Sequence, residues 1–266
     1  NDPWRIQGYT AYGFKDDKVK YGINARVMLD KKNRFIVSLG NRRDVEQIGV
    51  SLTTSNDVLG RSFASSSFFS SGTNNKLTIV NLTNLGFEIE PVKNLVLESS
   101  FSYRTLSSAS SEFKLDYFTD NTYTKTSDKI TQSEVNFLVN YTPKRKMVGY
   151  GVDRIDVDLN YPRFFVSYSQ GLKGVFDSDF NYSKLQLYYR QPLLIGGFGR
   201  LFSTLEIGKT FGAVPLSLMG VIPGNQSYFI IDNTYNLLNY YDFVADQYTS
   251  LHLEHNFNGK LFSRIP

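Results

Sequence analysis

The sequence predicts an all-β fold: an antiparallel transmembrane β-barrel, with about ten strands in this chain and more in the complete barrel. Three observations support this prediction. Apolar and polar residues alternate along many segments, those segments are long, and the connections are long on one side and short on the other. The same features predict that residues 1–266 form one outer-membrane β-barrel domain, incomplete at both ends.

The alternation is clearest between Val19 and Asp30. The odd positions are Val, Tyr, Ile, Ala, Val and Leu, and the even positions are Lys, Gly, Asn, Arg, Met and Asp. Successive side chains of a strand point to opposite faces, so this segment has one apolar face and one mainly polar face. The same period predicts strands at 4–14, 17–29, 34–49, 76–90, 92–106, 129–142, 160–173, 179–192, 199–211 and 245–258.

The length and the ends of these segments favour a membrane. A strand tilted at about 45° crosses a bilayer with ~9–11 residues, whereas strands of soluble sheets usually have ~5–6. Aromatic residues make up 15% of the chain and gather near the predicted strand ends, as interfacial girdles do. The residues of the expected girdles are Trp4, Phe14, Tyr103, Tyr141, Tyr161, Phe211 and Phe257.

The connections have two sizes. Residues 15–18, 30–33 and 90–92 are tight turns, whereas 52–75, 106–129 and 212–244 are long and polar. Because the strands alternate in direction, the three long loops fall on one side, as in outer-membrane barrels. Residues 150–160 are either a short extra strand or a turn. A soluble β-sandwich would explain the alternation, but not the strand length and the loop sidedness together.

Composition excludes several classes of function. The chain has no Cys, which excludes disulfides, thiolate metal sites and cysteine nucleophiles. The net charge is +4, with Lys and Arg scattered among acids, whereas a nucleic-acid binder gathers them on one face. No apolar run approaches the ~20 residues of a membrane-spanning helix. We expect the bacterial outer membrane as the location, its lipid as a partner, no nucleic acid and no cofactor.

The two histidines lie in the segment TSLHLEHNF, which contains the spacing His-x-Glu-His. On a helix, His252 and His255 would lie close together and could hold zinc with Glu254. The segment alternates, with Leu251, Leu253 and Phe257 on one face, so we predict a strand with the two histidines on opposite faces. We therefore expect no metal site. There is also no Gly-x-Ser-x-Gly, and we predict no catalytic residues and no enzyme.

The polar faces of the strands predict the lining of the barrel. Both charge signs occur there in similar number, which favours side chains that pair inside a closed barrel over a strongly ion-selective pore. The candidate lumen-facing residues are Lys20, Arg26, Glu98, Arg104, Glu134, Lys184, Arg190, Glu206, His252 and Glu254.

The loop 212–244 is too apolar for an exposed loop. It carries the run 216–222 and many Tyr and Phe residues, while two prolines keep it from continuing the flanking strands. We predict that it folds into the lumen, with Tyr228 or Tyr235 reaching residues such as Glu206 or Glu254. The expected turn of this loop consists of Pro223, Gly224, Asn225 and Gln226.

Roughly the last hundred residues resemble one protein family. The segments that carry the resemblance are YPRFFVSYSQGLKG, LEIGKTFGAVP and PGNQSYFIIDNTYNLLNYYDFVADQYTSLHLEHNFNGKLFSRIP. This family comprises large, uncharacterised outer-membrane proteins of Bacteroidota, with a carboxypeptidase-regulatory-like N-terminal domain followed by a β-barrel. The resemblance implies that further strands follow Pro266 and that the natural protein begins before Asn1.

A more distant resemblance is to the surface-antigen superfamily of BamA and TamA, which fold or translocate outer-membrane proteins. In that superfamily a long loop folds back into the lumen before a strand with an acidic-aromatic end, and 212–244 followed by LHLEHNF has this layout. The superfamily's loop tip carries an Arg-Gly pair, whereas residues 223–226 are Pro-Gly-Asn-Gln. The resemblance therefore does not carry the lumen-anchoring salt bridge to this chain.

Three functions remain open from the sequence. The first is a barrel with long extracellular loops and a lumen-folded loop, which acts within, or as a partner of, machinery that assembles, translocates or transports at the outer membrane. Other outer-membrane proteins would then be its partners. The second is a stand-alone channel for small solutes. The third is a soluble β-sandwich that binds a ligand.

Overall fold

The computed structural model describes residues 2–14, 17–46, 77–109, 113–120, 122–158, 160–222, 224, 235, 237–238 and 242–259. Its ordered elements are strands and three short 3-10 turns, at Val175–Asp177, Gly196–Phe198 and Leu216–Leu218. The strands are β1 Trp4–Gly13, β2 Lys18–Asp30, β3 Phe35–Glu46, β4 Thr78–Val92, β5 Leu95–Ser108, β6 Tyr117–Phe118, β7 Thr126–Ser127, β8 Lys129–Tyr141, β9 Met147–Val148, β10 Ile155–Asp156, β11 Arg163–Gly171, β12 Tyr182–Leu194, β13 Arg200–Phe211, β14 Gly220–Val221, β15 Val244–Ala245 and β16 Gln247–Asn256.

The long strands form one antiparallel sheet of 10 strands in the order β1-β2-β3-β4-β5-β8-β11-β12-β13-β16. The all-β prediction and the ten predicted strands are confirmed, with ends that shift by a few residues. Three two-stranded ladders, β6–β7, β9–β10 and β14–β15, lie in the connections. Within the described part of the chain, β1 pairs with β2 alone and β16 with β13 alone, so the sheet is open between its two edges.

Alternation explains both the strands and their register. In β2, Ile23 pairs with Gly8 of β1 and with Asn41 of β3, and Asn24 pairs with Gln7 and Gly40. Each strand therefore adds its odd or even set of side chains to the same face as its neighbours, because a slip of one residue would exchange the faces. The sheet has one face that is mainly apolar, called here the apolar face, and an opposite polar face.

The apolar face is the exposed one. Ile23, Leu39 and Leu251 lie on this face in three different strands and are 52%, 58% and 59% exposed. On the polar face, Gln132 and Ser167 are buried. A sheet of a soluble protein buries its apolar side against a core and leaves polar side chains outside. Burial in this sheet is the reverse of that arrangement.

The connections define two ends of the sheet. The long-loop end joins strands through residues 47–77, 109–128, 172–181 and 212–246, and also through the tight turn 14–17. The short-turn end has the connections 31–34, 93–94, 142–162 and 195–199. The strands that flank the three predicted long loops end on this side of the sheet, while residues 52–75 themselves lie outside the described part of the chain. Residues 142–162 are a long connection at the opposite end, and contain the β9–β10 ladder.

Three apolar clusters lie on the polar face. At the long-loop end, the loop-end cluster joins strand residues to two loop residues: Val80, Leu106, Ile130 and Tyr182 with Leu115 and Leu218. At the short-turn end, the turn-end cluster consists of Met28, Ile36 and Val152, the last from the connection 142–162. Leu138 and Tyr188 form the third, with Phe165 packed against them. Connections from both ends thus fold over the polar face.

One expected girdle residue is misplaced. Tyr161 is buried, with 3% of its surface exposed, and its ring lies beneath the guanidinium groups of Arg163 and Arg145, at 5.1 and 5.8 Å. It belongs to the connection 142–162 and not to a strand end, so the girdle prediction is wrong there. Trp4, Tyr141 and Phe211 are exposed, as a girdle would require. No helix among the described residues is long and apolar enough to cross a membrane.

Candidate functional site

The polar face collects the charged residues of the sheet. Strand alternation and the cross-strand register place all ten candidate residues on this face. They are Lys20 and Arg26 in β2, Glu98 and Arg104 in β5, Glu134 in β8, Lys184 and Arg190 in β12, Glu206 in β13, and His252 and Glu254 in β16. They do not converge on one point, because they spread over six strands. The structure divides them into separate groups.

The first group surrounds Asp153 at the short-turn end. Arg26 Nη1 donates to Asp153 Oδ1 at 2.9 Å, and Arg26 Nη2 donates to Glu88 Oε2 at 3.0 Å. Arg5 of β1 also forms an ion pair with Asp153. One acid from the connection 142–162 thereby joins two arginines of neighbouring strands. The pairing neutralises charges that would otherwise be costly in a half-buried position.

A second group at the same end surrounds Glu90. Arg154 forms an ion pair with Glu90, and Arg34 Nε lies 3.5 Å from Glu90 Oε2. Glu90 Oε1 also accepts a hydrogen bond from the backbone N–H of Asn94 at 2.8 Å. Arg34 donates to the carbonyl oxygens of residues 151 and 152, at 2.8 and 3.1 Å. Burial and the nearby charge of Arg154 lower the pKa of the Arg34 guanidinium.

These two groups hold the connection 142–162 over the sheet. Val152 packs with Met28 and Ile36, and its backbone N–H donates to the carbonyl oxygen of Asp2 at 3.0 Å. The connection leaves β8 and returns to β11, yet its ion pairs with other elements reach back to β1, β2 and β4. We call residues 142–162 the turn-end cap.

The third group lies nearer the long-loop end. Arg104 Nη2 donates to the hydroxyl oxygen of Tyr182 at 3.1 Å and lies 3.4 Å from Glu134 Oε2. The Tyr182 hydroxyl donates in turn to Glu134. The Tyr182 ring rests on Gly171, its cross-strand partner, where a Cβ atom would clash with the ring. A glycine opposite a tyrosine therefore sets the position of this hydroxyl.

The fourth group involves Tyr248 of β16. Its hydroxyl donates to Glu206 Oε1 at 2.8 Å and accepts from Gln186 Nε2 at 3.2 Å. Gly208 lies directly opposite Tyr248 and leaves room for its ring, and a Cβ on Gly220 would lie 2.8 Å from the same ring. Tyr248 therefore packs between the sheet and the β14–β15 ladder of the connection 212–246.

Part of the loop 212–244, which was predicted to fold into the lumen, lies among the described residues. Tyr235 packs edge-on against His252, with ring centroids 5.9 Å apart, and the two line a small pocket together with Glu206. Gly224 is buried and forms a parallel bridge with Tyr235. These contacts bring the loop to the polar face. Pro223, Asn225, Gln226 and Tyr228 lie outside the described residues.

The histidines occupy one strand. His252 pairs with Thr204 and His255 with Leu201, so the two rings point to opposite faces. The His255 ring lies 4.0 Å from that of Phe257. Among the residues that the structure describes, no group of three or more His, Asp or Glu side chains is placed to hold a metal ion.

Several of the charged residues described above were not among the candidates predicted from the sequence. Glu88 and Glu90 alternate with Phe87 and Ile89 in β4, so the period used for other strands would have found them. Asp153 and Arg154 lie in the stretch 150–160, where no period is visible. Their role depends on contacts with strands far away in the sequence.

A protein-family model matches the full length of this chain. Residues 1–266 match the family model described as a family of unknown function (DUF5686), C-terminal domain. The chain belongs to this DUF5686 C-terminal domain family. The expected resemblance to an uncharacterised family is confirmed for this domain. The assignment to Bacteroidota, the carboxypeptidase-regulatory-like domain and the relation to BamA and TamA remain predictions for the DUF5686 C-terminal domain. No curated protein matches it.

Proposed function

We propose that the chain is the transmembrane β-barrel domain of an integral outer-membrane protein. One observation carries the proposal: the apolar side chains of the sheet are exposed and the polar side chains are covered. Transmembrane barrels have this pattern, with apolar residues toward lipid and polar residues toward the lumen. In water, such a continuous exposed apolar surface would favour aggregation.

Strand length and sidedness support the same proposal. β4 and β5 have 15 and 14 residues and β2 and β12 have 13, more than the ~9–11 needed to cross a bilayer at about 45°. Bacterial barrels place short turns in the periplasm and long loops outside. The short-turn end would then face the periplasm. Pairing of the β1 and β16 edges, with each other or through further strands, would complete the barrel, because an open edge is not stable in lipid.

The lumen of the proposed barrel is occluded by the chain's own connections. The turn-end cap crosses the polar face at one end, and Leu115 and Leu218 of two connections pack in the loop-end cluster at the other. Between them the charges form ion pairs, such as that of Arg104 with Glu134. An occluded lumen favours a component or partner of outer-membrane assembly, translocation or transport machinery over a stand-alone channel. A channel would require both closures to move.

The soluble β-sandwich has less support. A sandwich needs a second sheet to cover the apolar face, but the long strands form a single sheet and its apolar face is exposed. Membrane lipid is the covering that matches a face of this extent.

The substitution Ile23→Arg tests the membrane assignment. Ile23 is 52% exposed in the middle of β2, and an arginine on a lipid-facing strand costs roughly 2–4 kcal/mol near the bilayer midplane. On the water-exposed surface of a soluble protein, the same change is usually within about 0.5 kcal/mol. We expect Ile23→Arg to lower the free energy of unfolding measured by urea titration in lipid vesicles. The matched control is Val148→Arg, at an exposed apolar residue of the turn-end cap.

The Val148→Arg control distinguishes an apolar face that contacts lipid from one that is exposed to water. We expect Val148→Arg to fold into vesicles as the wild type does, because the cap lies outside the membrane-spanning strands. If Ile23→Arg is as stable as Val148→Arg, the apolar face does not contact lipid and the barrel proposal fails. Purification in mild detergent then tests the assembly role: isolation as a lone barrel that conducts ions in planar bilayers would favour the channel instead.

A further inference from the structure

Two arginines face each other on the polar face at the short-turn end. Arg163, the first residue of β11, pairs in register with Arg190 of β12. Like charges directly opposite each other on neighbouring strands destabilise a sheet, because their Cβ atoms are only ~4.5–5.5 Å apart. Arg190 was predicted as a lumen-facing charge, whereas Arg163 was not among the predicted candidates.

Among the described residues, neither arginine has a carboxylate partner in an ion pair. In the described part of the chain, no ion pair or hydrogen bond joins either guanidinium to another residue, and each Nε atom is buried without a hydrogen-bond acceptor. The other arginines described above have carboxylate partners. The absence of a carboxylate partner sets this pair apart from those arginines.

The acid that influences Arg163 already has a partner. Asp156 influences Arg163 electrostatically, but its Oδ1 accepts from Arg145 Nε at 2.6 Å, and its Oδ2 accepts from Arg145 Nη2 at 3.1 Å and from the Tyr161 hydroxyl at 2.9 Å. Arg145 balances the charge of Asp156. Within the described ranges, no carboxylate is left to form an ion pair with Arg163 or Arg190.

Aromatic rings fix the two guanidinium groups. Arg163 lies 5.1 Å from the ring centroid of Tyr161, and Arg190 lies 4.7 Å from that of Phe202. A cation over an aromatic face is held in place without being neutralised. Thr204 lies directly opposite Arg190 on β13, and its hydroxyl adds a hydrogen-bond donor beside the pair.

We propose that Arg163 and Arg190 form a binding site for a phosphate-class oxyanion. A phosphate monoester carries about −1.5 to −2 charges at pH 7, which balances two guanidinium groups, whereas one carboxylate balances only one. The planar forks of arginine also match phosphate oxygens with two parallel hydrogen bonds each. The site lies where β11 begins and β12 approaches its end, and it is independent of the membrane proposal.

The test uses the purified protein in an uncharged detergent. One probe is inorganic phosphate, compared with chloride at matched ionic strength. The other is phosphatidic acid in mixed micelles, because a lipid headgroup could supply the same chemistry. We expect at least one probe to raise the thermal unfolding midpoint of the wild type, since a ligand that binds only the folded state stabilises it.

Arginine variants test whether the stabilisation by the probe depends on Arg163 and Arg190. In Arg163→Gln/Arg190→Gln, we expect the affinity for the active probe to fall by about tenfold or more, as for loss of charge-assisted hydrogen bonds. Without the probe, this variant should unfold no earlier than the wild type, because the like-charge repulsion is gone. The matched control Arg200→Gln removes a charge at the same end, from an arginine that donates to Asn160 Oδ1 at 2.9 Å. It should retain the probe effect.

Three outcomes would overturn the proposal. The first is that neither probe stabilises the wild type. The second is that the double variant retains the full effect. The third is that acetate at equal ionic strength stabilises as much as phosphate, which would show a general charge effect. An effect of phosphatidic acid alone, lost in the double variant, would support the site and assign it to a lipid headgroup.

Discussion

At the scale of residues, the polar face is organised by ion pairs between distant parts of the chain. Asp153 joins Arg5 and Arg26 although 148 and 127 residues separate it from them. Arg145 and Asp156 form a closer, bidentate pair within the turn-end cap. A bidentate pair fixes orientation as well as distance, so it contributes more than most single surface contacts.

Asp156 gives the first residue-scale prediction. Burial alone would raise the pKa of its carboxyl, but hydrogen bonds from Arg145 and Tyr161 outweigh it and lower the pKa below its usual range. A carboxyl with a lowered folded-state pKa contributes stability above its unfolded pKa of about 3.9, and this is lost as the pH falls through the folded-state pKa. We expect Asp156→Asn to reduce the free energy of unfolding by about 1–2 kcal/mol at pH 7.

The pH dependence identifies the cause. The difference between Asp156→Asn and the wild type should be complete above about pH 5 and should shrink below about pH 4, where the carboxyl of the unfolded wild type begins to bind a proton. Asp158→Asn is the matched control, because Asp158 is exposed and accepts one bond from the Asn160 backbone at 2.8 Å. A difference that does not change with pH would mean that the charge of Asp156 is not what stabilises the cap.

At the scale of elements, the sequence predicts strands well and connections poorly. Strand period is local: from Val19 to Leu29 the alternation alone places Ile23 on the apolar face and Asn24 on the polar face. The turn-end cap has no such period, because its position depends on Val152 reaching β2 and β3. Tyr161 was wrongly predicted as a girdle residue for the same reason: it lies in this connection, where two arginines cover its ring.

The candidate site shows the same division. Alternation placed the ten charged residues on one face, but it did not pair them. Arg104, Glu134 and Tyr182 meet because three non-consecutive elements, β5, β8 and β12, are close in the sheet order. The arginine pair also required the register, because only the alignment of β11 with β12 sets Arg163 opposite Arg190.

The turn-end cap and the loop-end cluster, which occlude the two ends of the proposed lumen, lead to a prediction about conductance. Val152 and Leu218 are buried, at opposite ends of the sheet. A buried unpaired carboxylate is costly, so Val152→Asp and Leu218→Asp should each loosen one closure. Two constrictions in series limit ion flow together. We therefore expect a clear rise in planar-bilayer conductance in the double variant Val152→Asp/Leu218→Asp, and a small change in either single variant.

The chain offers a matched control for this experiment. Val157 and Leu216 lie in the same two connections and are 59% and 63% exposed. Val157→Asp/Leu216→Asp adds the same charges without entering either cluster, and its conductance should equal that of the wild type. Equal conductance of both double variants, with strand content preserved by circular dichroism, would show that these clusters do not close the barrel.

At the scale of the whole molecule, the proposed orientation can be tested with engineered thiols. The chain has no Cys, so a single introduced Cys is the only thiol in it. Tyr123 is 72% exposed between β6 and β7 at the long-loop end, and Val148 is 65% exposed in β9 at the short-turn end. If long loops lie outside the cell and short turns in the periplasm, the two positions are on opposite sides of the membrane.

A membrane-impermeant maleimide should therefore label Tyr123→Cys in intact cells, and Val148→Cys only after the outer membrane is permeabilised. Ile23→Cys, on the apolar face, should resist the reagent under both conditions because its thiol would lie in lipid. Labelling of all three thiols in intact cells would contradict membrane insertion. Labelling of Val148→Cys but not Tyr123→Cys would keep the barrel and reverse its orientation, which would place the arginine pair near the outer surface. The labelling pattern thus tests membrane insertion and orientation separately.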